Sequence, residues 1–207
     1  MAFKSAIGSV ELVGTRAKLV PLDNSHIASL CEAGADLEIW RYMPVKVETA
    51  DDLAGLFRAS IEKRATGAEF HYTIIDQEQG KPVGSTGLLD ITPEHKALEI
   101  GWTWLSPTVW RTRINTECKY LLLKHCFEDL GAIRVFFKTD ARNERSQKAL
   151  ERIGAVREGV LRQHRILPDG YLRDSVYYSI LDKEWPAVKD RLESYLNTAP
   201  RRSESAV

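Results

Sequence analysis

The sequence predicts a mixed α/β fold of the α+β kind, whose mostly antiparallel sheet contains one parallel pair of strands. Three strand-like segments follow one another at 70–76, 81–91 and 96–105, and the turns between them are short enough for hairpins. The last of these strands and the next one, at 132–139, are joined through a helix, which favours a parallel pair. Parallel neighbours end at the same edge of a sheet, where ligands bind in open sheets.

The N-terminal third is predicted to hold one strand and two helices. Residues 15–22 alternate between apolar and polar side chains, as a half-buried strand does. Residues 23–34 are expected to form a helix with Asp23 or Asn24 as its N-cap. Residues 49–64 carry acids in the first turn and apolar residues along one side, which predicts a second helix.

The C-terminal half is predicted to alternate helices and strands. Apolar residues at i, i+4, i+7, i+8 and i+12 from Ile114 predict a helix that begins near Asn115 and ends at Gly131. The strand at 132–139 has a continuous apolar run, which is typical of burial on both faces. The remaining elements are a helix between Asn143 and Gly154, a strand pair at 156–166 and 171–181, and a closing helix at 182–196.

Composition indicates one soluble domain, at 10–196, with an N-terminal arm at 1–9 and a flexible tail at 197–207 that lacks periodicity. The 29 basic and 29 acidic residues cancel, so no overall field favours nucleic acid or an anionic membrane. No segment approaches the about 18 apolar residues of a membrane span, and no apolar signal-peptide core is present. We therefore expect a cytoplasmic protein whose partners are neither nucleic acid nor membrane.

The three cysteines predict no metal centre. Cys31, Cys118 and Cys126 lack metal-ligand spacing, and their odd number argues against a disulfide framework. Cys118 and Cys126 fall on one helix face, where buried free thiols are expected. The chain also lacks a phosphate-binding loop of the Walker type and a dinucleotide fingerprint.

A basic turn lies directly before the helix that begins near Asn115. It contains Arg111 and Arg113 and follows the strand end at Leu105. A helix start offers unpaired N–H groups and the positive end of the helix dipole, a setting that binds phosphate or pyrophosphate. The turn therefore indicates an anionic ligand at the centre of the sheet; the alternative is two solvated arginines on an ordinary loop.

Four segments, in this order and at these spacings, resemble the GCN5-related N-acetyltransferases (GNAT), and among them the ribosomal-protein N-terminal acetyltransferases. The segments are VELVGTRAKLVPL, LEIGWTWLSPTVWRTRINTE, ARNERSQKALERIGAVREG and DGYLRDSVYYSIL, and the resemblance runs from Val10 to Leu196. It implies a GNAT fold with a splayed parallel strand pair and helices on both faces. It also implies acetyl-CoA as co-substrate, no metal, and a primary amine as acceptor.

The resemblance assigns two segments to acetyl-CoA. The thioester and pantetheine would bind the backbone of one strand, and the pyrophosphate would rest on the basic turn. The residues concerned are Trp102, Thr103, Trp104 and Leu105 in the strand, and Arg111, Thr112, Arg113, Ile114, Asn115 and Thr116 in the turn. Where the family usually has glycine this chain has Arg113, and often another glycine where it has Arg111. Either Arg113 clasps a phosphate, or its stem crowds the turn and weakens binding.

Two further residues match a family motif at the start of the helix after Asn143. By resemblance, Asn143 contacts the pantetheine arm, and Ser146 lies near the thioester sulfur as a proton donor to the leaving thiolate. The alternative is that Asn143 is an N-cap and Ser146 a first-turn residue, and both can hold at once.

Glu99 is the candidate general base. Strand alternation places Leu98, Ile100, Trp102 and Trp104 on one face and Glu99 on the other. A carboxylate among apolar strands can have a raised pKa and accept the proton of an ammonium group. The resemblance gives Glu99 the same role, commonly through a water. The alternative is an exposed glutamate paired with Lys or Arg. His71 and His164 are weaker candidates for the base.

The acceptor is expected to be a protein or peptide N-terminus, as in the branch that the chain resembles. A small amine, such as a polyamine, an amino acid or an antibiotic, and a CoA-binding module without catalysis are the alternatives. Trp40, Tyr42 and Tyr171 are the candidate acceptor-binding residues. Arg162 and Arg165 would favour an acidic acceptor unless they are solvated. A homodimer is common in the family, and no feature of the sequence decides this.

Overall fold

The computed structural model of the chain describes residues 7, 10–65, 67 and 69–198. The strands are β1 (Leu12–Val13), β2 (Ala17–Pro21), β3 (Phe70–Asp76), β4 (Lys81–Thr92), β5 (Ala97–Leu105), β6 (Arg134–Asp140), β7 (Val156–Ile166) and β8 (Leu172–Leu181). The helices are α1 (Ile27–Ala33), α2 (Ala50–Ala65), α3 (Ile114–Lys124), α4 (Glu144–Ile153) and α5 (Trp185–Asn197). The predicted arm and tail lie largely outside the described residues.

The predicted order of elements is confirmed, and the local signals account for most of it. Asp23 accepts a hydrogen bond from the Ser25 N–H at 2.9 Å and caps the short turn that leads into α1. Asn143 caps α4, and Gly154 ends that helix with a φ of 100°, in the region that favours glycine. β1 is an additional two-residue strand paired with β2.

The strands form one eight-stranded sheet in the order β1-β2-β3-β4-β5-β6-β8-β7. Every neighbouring pair is antiparallel except β5 and β6, which are parallel as predicted. Their register runs only from Ala97 opposite Arg134 to Glu99 opposite Phe136. Beyond Glu99 the two strands separate, so a gap opens between their C-terminal ends.

A bulge at Trp102 accompanies this separation. Trp102 has a φ of 51°, and three steps along β5, from Gly101 to Trp104, match two steps along β4, from Gly87 to Ser85. The extra residue interrupts the ladder and adds local twist. It also reverses the alternation of side chains in the rest of β5.

The alternation predicted for β5 is therefore wrong beyond Gly101. Ile100 packs in the main core together with α3, as expected. Trp104 instead belongs to a second core under α1 and α2, where its ring centroid lies 5.2 Å from that of Trp40 and 5.9 Å from that of Phe57.

The main core lies between the sheet and α3, α4 and α5. Most of the apolar stripe predicted from Ile114 is fully buried there: Ile114, Cys118 and Leu122 in α3, and Cys126 just after its end. Leu121, the remaining member of the stripe, is partly buried. A fully buried side chain of this size stabilises a fold by about 1.5–3 kcal/mol, so this stripe fixes α3 against the sheet. The helix start is thereby held beside the gap.

β6 is buried on one face only, which corrects the prediction of burial on both. Val135 and Phe137 point into the main core, whereas Arg134, Phe136 and Lys138 are half-buried on the opposite face. The continuous apolar run led to the wrong prediction because it includes Phe136, which is apolar but partly exposed to solvent.

Candidate active site

A cavity of about 720 Å³ opens where β5 and β6 separate. Its walls come from the C-terminal halves of both strands, the turn before α3, the start of α4 and the β7–β8 hairpin. This is the crevice at the carboxyl ends of parallel strands that the sequence predicted as a binding site.

The strand wall of the cavity contains the four residues assigned to the thioester and pantetheine. They are Trp102, Thr103, Trp104 and Leu105. Because the register with β6 ends at Glu99, the edge of β5 that faces the gap has no strand partner beyond that point. Backbone N–H and C=O groups that lack a ladder partner there can pair with an extended ligand that enters the gap. The Leu105 carbonyl is an exception, because it accepts from the Trp110 Nε1 at 2.8 Å.

The turn before α3 brings Arg111 and Asn115 to the cavity wall. The Ile114 N–H donates to the Thr112 Oγ1 at 3.3 Å, and the next N–H groups, of Asn115 and Thr116, belong to the helix start that has no intrahelical acceptor. Arg111 has a φ of 62°, so it occupies the left-handed region where glycine is favoured.

Arg113 turns away from the cavity. Its Nη1 donates to the Leu196 carbonyl oxygen at 2.7 Å, near the end of α5, and its φ of −75° suits any residue. The side chain thus neither reaches the cavity nor strains the turn, and the conformation that favours glycine falls on Arg111. Thr112, Ile114 and Thr116 do not line the cavity with their side chains either.

Asn143 and Ser146 both line the cavity at the start of α4. The Asn143 Oδ1 accepts a hydrogen bond from the Ser146 N–H at 3.0 Å, which confirms the N-cap. The cap uses only the side-chain oxygen of Asn143, so the two N–H donors of the side-chain amide remain available to a ligand. Arg145, which also lines the cavity, lies 4.1 Å from the centre of the Trp110 ring. Sequence reasoning missed Arg145, although it stands between the two predicted residues.

Glu99 lines the cavity and is only 8% exposed. Its Oε2 lies 2.8 Å from the Nζ of Lys138, which also pairs with Asp90. Burial raises the pKa of Glu99, and the Lys138 ammonium offsets part of that rise. The glutamate is thus both buried and ion-paired. Alternation along β6 would have pointed to Lys138, which shares the face of Phe136 opposite Glu99.

A buried lysine lies on the other side of the gap. Lys119 of α3 lines the cavity, and its Nζ donates to the Thr103 Oγ1 at 2.8 Å. That hydroxyl is also 2.7 Å from the Thr86 Oγ1. Burial lowers the pKa of Lys119 to about 8, and no acidic side chain of the described residues forms an ion pair with it. Sequence reasoning did not single out Lys119.

Of the three candidate acceptor residues, only Tyr42 lines the cavity. Trp40 is core: it is 4% exposed, and its Nε1 donates to the Gly34 carbonyl at 2.8 Å. Tyr171 is 39% exposed and lies outside the cavity wall. Arg142 joins the two tyrosines, with its guanidinium carbon 3.6 Å from the Tyr171 ring centre and 5.7 Å from that of Tyr42.

The histidines and cysteines are placed elsewhere. His71 is held by Glu69 at 2.9 Å and His164 by the Ser175 hydroxyl at 3.0 Å, and neither lines the cavity. Cys118 and Cys126 are buried free thiols, as predicted, and burial raises both pKa values.

The described residues contain neither a metal-binding cluster nor a membrane-spanning helix. No group of three or more His, Cys, Asp and Glu side chains among them is arranged to hold a metal ion. No helix in that part of the chain combines the length and the apolarity needed to cross a bilayer.

Comparisons with known proteins relate the chain to acetyltransferases. The model of the family described as "Acetyltransferase (GNAT) domain" matches residues 16–156. A crystal structure from T. thermophilus, described as a "putative acetyltransferase", is 41% identical and has a TM-score of 0.82, over 90% of this chain and 96% of that one. A GCN5-related N-acetyltransferase from Brucella melitensis is 27% identical, with a TM-score of 0.85, over 95% of this chain and 88% of that one.

A further relative, from Bacillus subtilis (strain 168), bears the name "Putative ribosomal N-acetyltransferase YdaF". It is 32% identical over 110 residues, which are 53% of this chain and 59% of the relative. The match therefore spans less than two thirds of that protein.

Proposed function

The chain belongs to the acetyltransferase (GNAT) family, and from that premise we propose that it transfers an acetyl group from acetyl-CoA to a primary amine, foremost a protein or peptide N-terminal amine. The observation that carries this proposal is the gap between β5 and β6. One wall of the gap is an unpaired strand edge, and one end is the helix start with Arg111. These features suit the amide-rich arm and the pyrophosphate of coenzyme A respectively.

The residues of the gap suit direct attack in a ternary complex. Glu99, or a water that it holds, takes a proton from the acceptor ammonium, and the amine nitrogen then attacks the thioester carbonyl. A backbone N–H of β5 near Trp104 donates to the oxyanion. The C–S bond of the tetrahedral intermediate then breaks, and Ser146 or a water protonates the departing thiolate. The extra proton that the nitrogen still carries passes to a water or back to Ser146 as the amide forms. Both buried thiols lie away from the cavity wall, so none is assigned an acyl-enzyme role.

An N-terminal amine suits this base better than a lysine side chain does. The α-amino group has a pKa of about 7.7–8.0, against about 10.4 for lysine, so a larger fraction of it is already neutral near pH 7. Burial raises the pKa of the Glu99 carboxylate, which makes it a better proton acceptor for the fraction that is still protonated. The name of the Bacillus subtilis relative agrees with an acceptor on the ribosome.

The test combines calorimetry with a free-thiol release assay. Coenzyme A and acetyl-CoA are titrated first, and turnover is then measured on amidated peptides with free N-termini, Nα-acetylated lysine peptides, polyamines and amino acids. We expect binding and turnover with the free N-terminal peptides. Turnover only on small amines would contradict the acceptor class, and binding without turnover on any amine would leave a CoA-binding module. No binding of coenzyme A would remove the acyl donor and the proposal with it.

A further inference from the structure

The cavity contains a buried arginine, Arg173, whose guanidinium has no hydrogen-bond partner among the described residues. Arg173 of β8 lines the cavity and is 6% exposed. Its Nε is buried without a hydrogen-bond partner, and its guanidinium makes no hydrogen bond to any described residue. The nearest acid, Asp140, lies 4.0 Å from the Nε, at the limit of an ion pair.

Asp140 already pairs with another arginine, Arg142. Its Oδ1 accepts from the backbone N–H of Arg142 at 2.9 Å and from the Nε at 3.0 Å, and its Oδ2 accepts from the Nη2 at 2.7 Å. This bidentate arrangement is the strong form of a carboxylate–guanidinium pair. The Asp140 carboxylate is thus held by Arg142, and at 4.0 Å from the Nε it makes no hydrogen bond to Arg173.

A second arginine stands directly opposite the first. Arg165 of β7 is the register partner of Arg173, so the two side chains lie on the same face of the sheet. Arg165 also lines the cavity, and it makes no ion pair with a described residue. Like charges directly opposite each other destabilise a strand pair, and a buried cation without hydrogen bonds is costly. An anion bound between the two guanidinium groups would offset both costs, because it screens their repulsion and accepts their hydrogen bonds.

This arginine pair lies on the same face of the sheet as Glu99, the proposed base for the acceptor amine. The β6–β8 register pairs Lys138 with Tyr177, and alternation along β8 carries the same face to Arg173. Glu99 shares this face, since it lies opposite Phe136. In contrast, Arg111 and Arg145 belong to the turn before α3 and to α4, and those helices pack on the other face. The pyrophosphate and this second anion would thus bind from opposite sides.

We propose that Arg173 and Arg165 form an anion subsite that binds a carboxylate on the acceptor, so that the preferred acceptor is an amine that also carries a carboxylate. This inference rests on the proposed function and narrows its substrate class. The carboxylate has two possible sources. It is either an acidic side chain within the first few residues of a peptide or the α-carboxylate of a free amino acid.

Matched acceptors test the subsite and separate the two sources. One arm compares amidated peptides that differ only by Glu against Gln at position 2, 3 or 4. The other compares free amino acids with their amides. We expect a preference in kcat/KM of roughly tenfold or more for the charged member in one arm, as hydrogen bonds to charged groups imply. Equal rates within every pair of both arms would overturn the proposal.

Variants test whether the preference for the charged acceptor depends on Arg165 and Arg173. R165Q and R173Q should abolish the preference, so that kcat/KM for the charged acceptor falls to the value for the neutral one, while the affinity for coenzyme A measured by calorimetry stays the same. R162Q is the matched control, because Arg162 lies on the same strand and does not line the cavity. The same loss in R162Q, or weaker coenzyme A binding in R165Q, would contradict the assignment. Arg165 is exposed, so R165Q remains informative even if R173Q fails to fold.

A binding measurement keeps this inference separate from the proposed function. Nα-acetylated peptides with Glu or Gln are titrated by calorimetry into the protein saturated with coenzyme A. Tighter binding of the Glu peptide, lost in R165Q, supports the subsite even if no amine is turned over. Equal affinity of both peptides, together with equal affinity of acetylated amino acids and their amides, would overturn the subsite while leaving acetyl transfer untouched.

Discussion

At the scale of single residues, Glu99 is the group on which the proposed chemistry depends. Burial raises its pKa above the ordinary 4.5, so its base form is lost as the pH falls through that raised value. We predict that Glu99→Gln lowers kcat/KM by about 10²–10⁴-fold, most near neutral pH, since general bases contribute that much. Coenzyme A affinity should stay the same in calorimetry. An unchanged rate would remove Glu99 as the base.

Lys138 is expected to influence the pH at which Glu99 loses its base form. Its ammonium lies 2.8 Å from Glu99 and stabilises the carboxylate, so Lys138→Met should raise the pKa of Glu99 further. The acid limb of the kcat/KM profile should then move to higher pH. Lys148→Met, which removes an exposed pair with Glu144 on α4, serves as control and should leave the profile in place. A limb that stays fixed in Lys138→Met would contradict the coupling.

The lowered pKa of Lys119 predicts how the free energy of unfolding changes with pH. Its pKa falls from 10.5 to about 8 on folding, so the unfolded chain binds more protons between these values and stability rises with pH across that window. At pH 7 the folded protein carries the whole penalty, about 3 kcal/mol. Lys119→Met should therefore raise the free energy of unfolding at pH 7, and the gain should shrink towards pH 10. Urea denaturation at both pH values measures this, and a pH-independent difference would contradict it.

At the scale of elements, the turn before α3 separates two arginines that look alike in the sequence. Arg111 lines the cavity, whereas Arg113 holds the Leu196 carbonyl of α5. Arg111→Ala should weaken coenzyme A binding with little change in stability. Arg113→Ala should leave the affinity unchanged and lower the free energy of unfolding by about 1 kcal/mol, the size of one hydrogen bond. Calorimetry and urea denaturation on both variants form a matched pair, and a loss of affinity in Arg113→Ala alone would reverse the assignment.

The bulge at Trp102 marks the point along β5 beyond which alternation no longer predicts the face of each side chain. Alternation along β5 was correct up to Gly101, because the strand is regular there and its faces follow from a period of two. A single extra residue then moves Trp104 to the second core. Nothing in the local pattern marks the bulge, since its position is set by the register with β4.

At the scale of the whole molecule, the gap should couple coenzyme A to global stability. A ligand that binds only the folded state at 100 times its Kd adds about 2.7 kcal/mol. For a chain of this size that corresponds to a rise in Tm of roughly 5–10 °C. Thermal unfolding with and without coenzyme A measures it, with Arg111→Ala expected to show a smaller rise at the same concentration. No shift at saturating ligand would contradict binding in the gap.

By itself, the sequence determined the order of elements, the parallel strand pair, the start of α3 and the Asn143 cap, because periodicity and capping act over a few neighbouring residues. Only the tertiary structure decided which side chains meet across strands. It brought Lys138 to Glu99 and Arg165 to Arg173, and it sent Arg113 to α5 instead of the cavity. These contacts depend on register, twist and helix packing between segments far apart in the chain, and such long-range geometry is absent from any local pattern.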